Sequence, residues 1–575
     1  MSVELMNFFN ALNAVIWHNW VLYAVLGTGV LFTFWSGFSQ YRALTHGVAI
    51  TRGKYDDKDD PGAISHFQAL SAALSATVGL GNIGGVALAI SLGGPGAVFW
   101  MWVVGLFGMA VKLTEVTLTM LYRNTDDPEN PHGGPMMVVD RGLPARWPKL
   151  RPAGKVFAVL FSISVVISAI TGGNLFQAWN VGDVTESYFG VPAWMCGLAL
   201  AVAAGLVIIG GIRRIGQVAS RLVPFMVVLY FLGCIVVLGL SYEQIPESFA
   251  LIFRGAFSSL EGTGAFIGGT AGAAFIFGMK RALFSSEAGQ GSSPIAHSAA
   301  RTDEPVREGI VAGLEPFIDT LVVCTLTALV ILSTGQWRRG PEAEFPAGPE
   351  VVAAETAGSW TIAETTAPDR AGGDWAGGES VFMVAVADYN PETDNNLHKI
   401  SGEIELSGDG LATIRWQFIE SSVAPVLRDS GIYVSYEGAT MTARALDSAI
   451  PGLGKWLVSL AVWLFAFSTI ISWSYYAEQA VWFLGARKVG LMVYKICYCL
   501  LALVATLGWL RTDAELDTVT TLGTGLMLVV NMPILWLFGW QAMRAYKEYI
   551  RRFTSGRMDR GQGAPTLDDL IRSRR

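Results

Sequence analysis

Charged residues are scarce in this chain, with Asp, Glu, Lys and Arg making up only 15% of its 575 residues, against about a quarter in soluble domains. Cysteine and histidine are rarer still, at five and six copies. Cys196, Cys234, Cys324, Cys497 and Cys499 show no CxxC or zinc-ligand spacing and all fall in apolar runs, which excludes a disulfide framework and reads them as small packing residues. No nucleophile–base set or metal-ligand cluster is evident, so an enzyme is not expected. Neither is a nucleic-acid partner or an organic cofactor. The first twenty residues lack a basic start and an apolar core ending at a small-residue cleavage site, so no cleavable signal peptide is read there.

What the chain has is apolar length. Hydrophobic residues reach 52% and the mean hydropathy is +0.43, a balance suited to lipid as solvent. They gather into runs long enough to cross the hydrocarbon core as helices: 21–38, 68–92, 97–122, 155–179, 192–210, 218–240, 261–284, 311–332, 455–484, 491–510 and 519–541. Eleven spans are therefore predicted. Lys and Arg concentrate in alternate loops, among them Arg42, Arg52, Lys54 and Lys58, then Arg123, Arg141, Arg146, Lys149 and Arg151, and finally a tail with Arg544, Lys547, Arg551 and Arg552. By the positive-inside rule this sets the N-terminus outside and the C-terminus in the cytoplasm, for a multi-pass protein of the plasma membrane (the inner membrane of a cell with two).

One segment interrupts the helical pattern. Residues 336–437 hold 17 acidic and 6 basic residues. The part through Gly378 is rich in Gly, Pro, Ala and Glu and reads as flexible. Alternating segments at 380–388, 400–406, 412–419 and 431–436 then predict a small antiparallel β domain on the outer face. Four regions follow: spans one to eight in 1–335, the acidic insertion in 336–437, spans nine to eleven in 438–543, and a basic cytoplasmic tail in 544–575.

Two spans contain glycine at a density that a continuous helix tolerates poorly, since each costs about 1 kcal/mol relative to alanine. They are Gly79-Leu80-Gly81-Asn82-Ile83-Gly84-Gly85 in span two and Gly262 to Gly272 in span seven. Setting aside the first helix, spans two to six and seven to eleven form two sets of five, each led by an interrupted helix. An odd number of spans inverts the second set relative to the first, the arrangement of inverted-repeat transporters. Half-helix N-termini at mid-membrane favour an anion and free carbonyls a cation, so a zwitterionic amino acid with Na⁺ fits such a site.

Long motifs now carry a resemblance. They include Phe67-Gln68-Ala69-Leu70, Thr77-Val78-Gly79-Leu80-Gly81-Asn82-Ile83, Gly94-Pro95-Gly96-Ala97-Val98-Phe99-Trp100, Gly133-Gly134-Pro135-Met136, Arg281-Ala282-Leu283-Phe284-Ser285-Ser286-Glu287-Ala288-Gly289, Ser293-Pro294-Ile295-Ala296-His297, Phe317-Ile318-Asp319-Thr320 and Trp473-Ser474-Tyr475-Tyr476. On these the chain resembles the alanine or glycine:cation symporters of the LeuT-like superfamily, over nearly everything outside 336–437. It departs at Ser286, where the family usually has Asn, and in its longer outer loop. The resemblance implies an all-α membrane protein with a LeuT-like 5+5 inverted repeat, preceded by one extra helix and carrying a small β-rich extracytoplasmic insertion.

It also implies site residues. The unwound centre of span two would hold the substrate carboxylate on amides at Gly79, Leu80 and Gly81, with the Thr77 carbonyl near the amino group. Ser468 and Thr469 resemble a pair that ligates Na⁺ with carbonyls at Ser75 and Val78, an all-oxygen set suited to a hard cation. Trp473 would limit the side-chain pocket to a methyl group or hydrogen. In span four, Asn174 and Gln177 share a face and either bind substrate or hold helices together. In span seven, Thr270, Ala271 and Gly272 mark the expected break, and Phe266 closes the site. Lys112 and Glu115, at i, i+3, read as a mutually neutralising pair. Asp319 serves either cation coupling or a helix–helix hydrogen bond, and His297 a structural role.

The expected function is uptake of a small neutral amino acid, alanine or glycine, with Na⁺ as coupling ion, by alternating access within the lipid bilayer. Proton coupling and an amino-acid sensor without net transport are the alternatives. The sequence leaves the oligomeric state open, with a monomer sufficient.

Overall fold

The computed structural model describes residues 3–556 except 355, 357, 391–394, 408–410, 437 and 509–512. The end of the predicted tail, with Arg557 and Arg560, and positions 509–510 of predicted span ten lie outside the described residues. In chain order the main helices are α1 (Val3–Ile16), α2 (Asn19–Ser36), α3 (His66–Thr77), α4 (Val86–Gly93), α5 (Gly96–Tyr122), α6 (Arg151–Ile170), α7 (Phe176–Phe189), α8 (Ala193–Ile208) and α9 (Gly211–Leu240). After them come α10 (Ala271–Ser286), α11 (Ser293–His297), α12 (Pro305–Ala312), α13 (Thr325–Ser333), α14 (Ala439–Ala449), α15 (Leu453–Phe483), α16 (Lys488–Val504) and α17 (Asp513–Thr554).

Among the described residues, seven helices are long and apolar enough to cross a membrane, and eight when α3 and the helix after it, bent by 54°, count as one span. Three predicted spans are shorter: 192–210, 261–284 and 491–510 are helical over Ala193–Ile208, Ala271–Ser286 and Lys488–Val504, of 16, 16 and 17 residues. At 1.5 Å per residue these reach about 25 Å, below the thickness of a typical hydrocarbon core. The surface confirms the solvent: α9 exposes Phe225, Val228, Leu232, Ile235 and Val236 along one stripe, an apolar face that water would not tolerate.

The sharpest correction concerns predicted span seven, whose first part is not helical. Residues 258–270 form a loop closed by a β-bridge between Leu260 and Gly269. Gly264 and Gly268 take positive φ, 58° and 84°, which side chains disfavour. The loop's carbonyls are taken by the insertion: Arg428 donates to Gly264 O at 2.5 Å and Phe266 O at 3.3 Å, and Asn395 to Ile267 O at 3.0 Å. The glycines from Gly262 to Gly269, predicted to break a helix, thus build a loop packed against the insertion.

Among its described residues the insertion has nine strands: β1 (Ala343–Glu344), β2 (Val351–Ala353), β3 (Ser359–Ile362), β4 (Ser380–Asn390), β5 (Asn395–Leu406), β6 (Ala412–Trp416), β7 (Ile419–Glu420), β8 (Val426–Leu427) and β9 (Gly431–Val434). One sheet runs β1-β9-β4-β5-β6 with β8 also on β4, and a second runs β2-β3-β7. All pairs are antiparallel, as the alternation predicts. Val381, Met383, Ile400, Ile404 and Ile414 bury one face. The stretch read as flexible differs: β2 pairs with β3, and β1 and β3 pair with β9 and β7, which lie about 60 to 90 residues further on. A local composition signal does not see such partners.

Candidate functional site

α3 starts with a full capping box, Ser65 with Gln68, and stops at Thr77, because Val78 turns to an extended conformation (φ −75°, ψ 96°). A π-helical turn, Gly81–Gly85, then leads into α4. The gap is held by Asn82, whose Oδ1 accepts from Gly79 N at 2.7 Å. Its amide nitrogen donates to Ser285 Oγ at 3.1 Å and to the Asp319 carboxylate. Asp319 also accepts from Ser285 at 2.6 Å and Thr320 at 2.8 Å. A single polar knot therefore ties span two, α10 and the π-helical turn Phe317–Cys324.

Directly opposite the first break lies a second. α10 ends at Ser286, and residues 287–292 connect it to α11 with Glu287, Gly289 and Gly291 at φ of 51°, 88° and 78°. A Cβ added at Gly81 would meet the Phe284 ring at 3.3 Å, which fixes how closely the two breaks approach. The break of predicted span seven is thus at 287–292 and not at Thr270, Ala271 and Gly272. Thr270 caps α10 by accepting from Ala273 N at 3.0 Å. Phe266 packs edge-on to Trp337 at 5.0 Å, beside Gly94 at the C-terminal end of α4. These four residues do not line the cavity.

Between the breaks is a small cavity of ≈ 30 Å³, room for about one or two water molecules. Of the predicted site residues, Thr77, Gly79, Leu80, Gly81, Gln177, Thr469 and Trp473 line it. So do Phe284, Ser285, Glu287, Gln290 and Thr524, to which the sequence reading gave no role. The signal for most of them was present, since 284–287 lies within a quoted motif. Gln177 donates to Gly172 O at 3.0 Å across the π-helical turn Thr171–Leu175, and Gln290 donates to Leu283 O at 2.8 Å. The side-chain oxygens of both are buried with no hydrogen-bond partner, so two acceptors stand ready for an ammonium group. Trp473 lies against Gly173, where a Cβ would stand 2.5 Å from that of Trp473. Asn174 is not in the cavity; it donates to Tyr498 O at 2.7 Å and joins its turn to α16.

Next to the cavity is an oxygen cluster on α3 and α15. Ser468 and Thr469 donate to the Ser75 carbonyl at 3.2 and 3.3 Å, Ser75 Oγ donates to Ser468 O at 2.6 Å, and Ser472 donates to Ser75 Oγ at 2.9 Å. Ser75, Ser468 and Thr469 come together as predicted, with Val78 at the break beside them. Hydroxyls and carbonyls without nitrogen or sulfur suit an alkali cation. No group of three or more His, Cys, Asp or Glu side chains is poised to hold a metal ion among the described residues.

A larger vestibule of ≈ 260 Å³ shares Leu80, Gly81 and Phe284 with the cavity and reaches Gly438 to Thr440 on the insertion side. Its walls carry Asn180, Asp183 and Arg281. Beneath the cavity, Lys112 and Glu115 each feel the other's charge, as the spacing predicts, but their direct contacts are to other groups. Lys112 donates to Ser293 at 2.6 Å and lies 3.4 Å from Glu315, whereas Glu115 accepts from Asn531 at 2.8 Å. The helices facing α5 offer closer partners than its own next turn.

Comparison with known proteins gives a consistent picture. The profile of the sodium:alanine symporter family matches residues 2–363 and 418–562, leaving out only part of the insertion and the end of the chain. The chain is similar to a Methanococcus maripaludis protein named sodium/alanine symporter AgcS, 33% identical over 87% of this chain and 88% of that one. It is also 30% identical to a Bacillus subtilis protein named putative sodium/proton-dependent alanine carrier protein YrbD, over 96% of this chain and 93% of the other. Among solved structures it is similar to MhsT in complex with L-phenylalanine, with 14% identity, a TM-score of 0.47, and coverage of 83% of this chain and 89% of that one.

Proposed function

The chain belongs to the sodium:alanine symporter family, and from that premise we propose that it takes up a small neutral amino acid, alanine or glycine, together with Na⁺ by alternating access. The observation that carries this reading is the pair of facing helix breaks around a small cavity with polar side chains in its wall that adjoins an all-oxygen cluster. Exposed backbone inside a membrane is costly unless it lines a cavity with a use.

In this reading the substrate carboxylate sits at the first amides of the turn beginning near Leu80 and Gly81, where the helix dipole favours an anion. The ammonium group is received by the Thr77 carbonyl and the free amide oxygens of Gln177 and Gln290. Trp473 and Phe284 bound the side-chain end, and in this reading the cavity, which now holds about one or two waters, widens to admit even alanine. Na⁺ takes the carbonyls of Ser75 and Val78 and the hydroxyls of Ser468 and Thr469, which now bond to Ser75 and would turn to the ion. Asp319 holds helices together through Asn82 and Ser285.

The same reading keeps eleven spans, with α8, α10 and α16 crossing a locally thinner layer, and two inverted sets of five led by the two breaks. It places the N-terminus and the insertion outside and the C-terminus in the cytoplasm. Phe284 and Leu80 separate vestibule from cavity, so their displacement opens the site toward the insertion side. Counterflow of radiolabelled alanine into proteoliposomes tests the function. Uptake is expected to follow a Na⁺ gradient; uptake unchanged when choline replaces Na⁺ refutes the coupling.

A further inference from the structure

The joint between the insertion and the transmembrane helices encloses another small cavity, of ≈ 50 Å³, which takes no part in the substrate and Na⁺ reading above. Leu88 of α4, Ala265 of the 258–270 loop and Met441 of α14 stand on one side of it, and Arg339, Lys399 and Tyr436 of the insertion on the other. Two cationic side chains therefore line a buried space that no Asp or Glu side chain lines among the described residues.

Arg339 is held on every side but one. Its guanidinium lies 4.4 Å from the centre of the Tyr436 ring, Nη1 donates to Gln336 O at 3.3 Å, and Nη2 donates to the Val434 carbonyl. Its Nε is buried and has no hydrogen-bond partner. Trp337, two residues before it, is only 4% exposed, and its Nε1 is likewise buried without a partner. The Phe266 ring, edge-on at 5.0 Å, fixes that indole, and both Trp337 and Arg339 line the cavity. An indole nitrogen can only donate and a guanidinium stays charged, so neither group can relieve its position by accepting a bond or losing a proton. The acid whose charge Arg339 feels, Glu342, is engaged elsewhere: it accepts from Tyr436 at 2.9 Å and lies 3.9 Å from Arg370.

Buried donors are paired as a rule, so two unpaired ones on one cavity wall call for an acceptor. Water can accept from them but cannot offset the guanidinium charge, whereas an anion does both. The space suits a monatomic ion with about one or two waters. We propose that this cavity is a chloride site, in which the ion accepts from Arg339 Nε and Trp337 Nε1. Lys399, whose Nζ stands 4.5 Å from the centre of the Phe382 ring, adds positive charge to the wall. The bound ion fastens the insertion to α4, whose other end continues from the first helix break.

This inference stands whether or not the transport reading does, because its test reads binding alone. The full chain in non-ionic detergent is exchanged into gluconate and titrated with chloride, and the chloride NMR line width is followed. Saturable broadening that bromide reverses is expected. Trp337→Phe keeps a ring in place and removes the N–H; it is expected to raise the half-saturating chloride concentration about tenfold, the worth of one hydrogen bond to a charged acceptor. Arg339→Gln is expected to abolish the saturable part. Arg415→Gln, at an exposed arginine elsewhere on the insertion, is expected to leave it unchanged. Absence of saturable broadening in the unaltered protein overturns the proposal, as does broadening that survives both Trp337→Phe and Arg339→Gln. An equal loss in Arg415→Gln assigns the effect to surface charge and overturns it too. Reversal by alanine and not by bromide gives the cavity to a substrate carboxylate and overturns the choice of chloride. Where Arg339→Gln is not recovered folded, Trp337→Phe decides on its own.

Discussion

The two helix breaks open the same cavity by different means. Between α3 and α4 the backbone does it: glycines at 79, 81, 84 and 85 leave no side chains in the way, and one side chain, Asn82, holds the gap. Between α10 and α11 side chains do more of the work, with the Glu287 carboxylate held by Ser292 and the Gln290 amide bonded back to Leu283. The first break offers amides and carbonyls; the second offers a carboxylate and an amide oxygen. Glycine density therefore marks where a chain can bend closely, and whether a site results depends on what packs against the bend. The glycines at 262–269 meet the insertion and form a loop, whereas those at 79–85 meet α10 and form a cavity.

The largest expected effect comes from cutting the tie between the breaks. Asn82→Leu removes the acceptor of Gly79 N and the donor to Ser285 and Asp319, each loss costing about 1–3 kcal/mol when left buried. Alanine counterflow is expected to fall at least about 100-fold, since 1.4 kcal/mol is a factor of ten. Counterflow near the unaltered level would show that the breaks are held together by other contacts.

Ser468→Ala addresses the first break alone. The half-saturating Na⁺ concentration is expected to rise about tenfold, with maximal uptake preserved at saturating Na⁺. An unchanged Na⁺ dependence would remove this hydroxyl from the cation site.

Glycine substitutions sharpen the contrast. Gly291→Ala places a Cβ at φ 78° and 2.6 Å from Pro135, so it is expected to lower the melting temperature of detergent-solubilised protein by about 1–2 degrees, for a cost of about 1–2 kcal/mol. Gly79→Ala meets only Thr469 Oγ1 closely, at 3.1 Å, and is expected to weaken Na⁺ dependence more than stability. The reverse outcome would exchange the roles given to the two breaks.

Trp473→Phe enlarges the cavity at its side-chain end. Preference for alanine over a larger neutral amino acid, measured by competition, is expected to fall about tenfold, at the low end of the range set by one methylene. The smallest change is expected for Arg428→Ala. It frees the carbonyls of Gly264 and Phe266, outside the cavity, and uptake should stay within about twofold. A large loss would give the insertion a part in transport.

Much of this molecule was legible in its sequence, and the illegible parts share a cause. Residence in lipid, the positions of the long helices, the first break and the pairing of Ser75 with Ser468 and Thr469 were all readable. Hydropathy and glycine spacing are local properties, and the hydroxyl pair lay in a recognisable motif. The second break was misplaced because Gly262 to Gly272 and residues 287–292 are both rich in helix-breaking residues, and only their neighbours separate them. The strands β1 to β3 were missed because the partners that anchor them, β9 for β1 and β7 for β3, are distant in sequence.

Sequence alone determined the solvent, the family resemblance and one wall of the cavity, because apolar run length and motif identity need no partner. The tertiary structure decided where the second wall stands, which glycine-rich run became a loop, and that Lys112 turns from Glu115, three residues away, to Glu315, 203 residues away. The physical reason is the cost of leaving a charge or a backbone group unpaired in a low-dielectric interior. Such groups take whichever partners the packed helices bring within reach, and that proximity is not written along the chain.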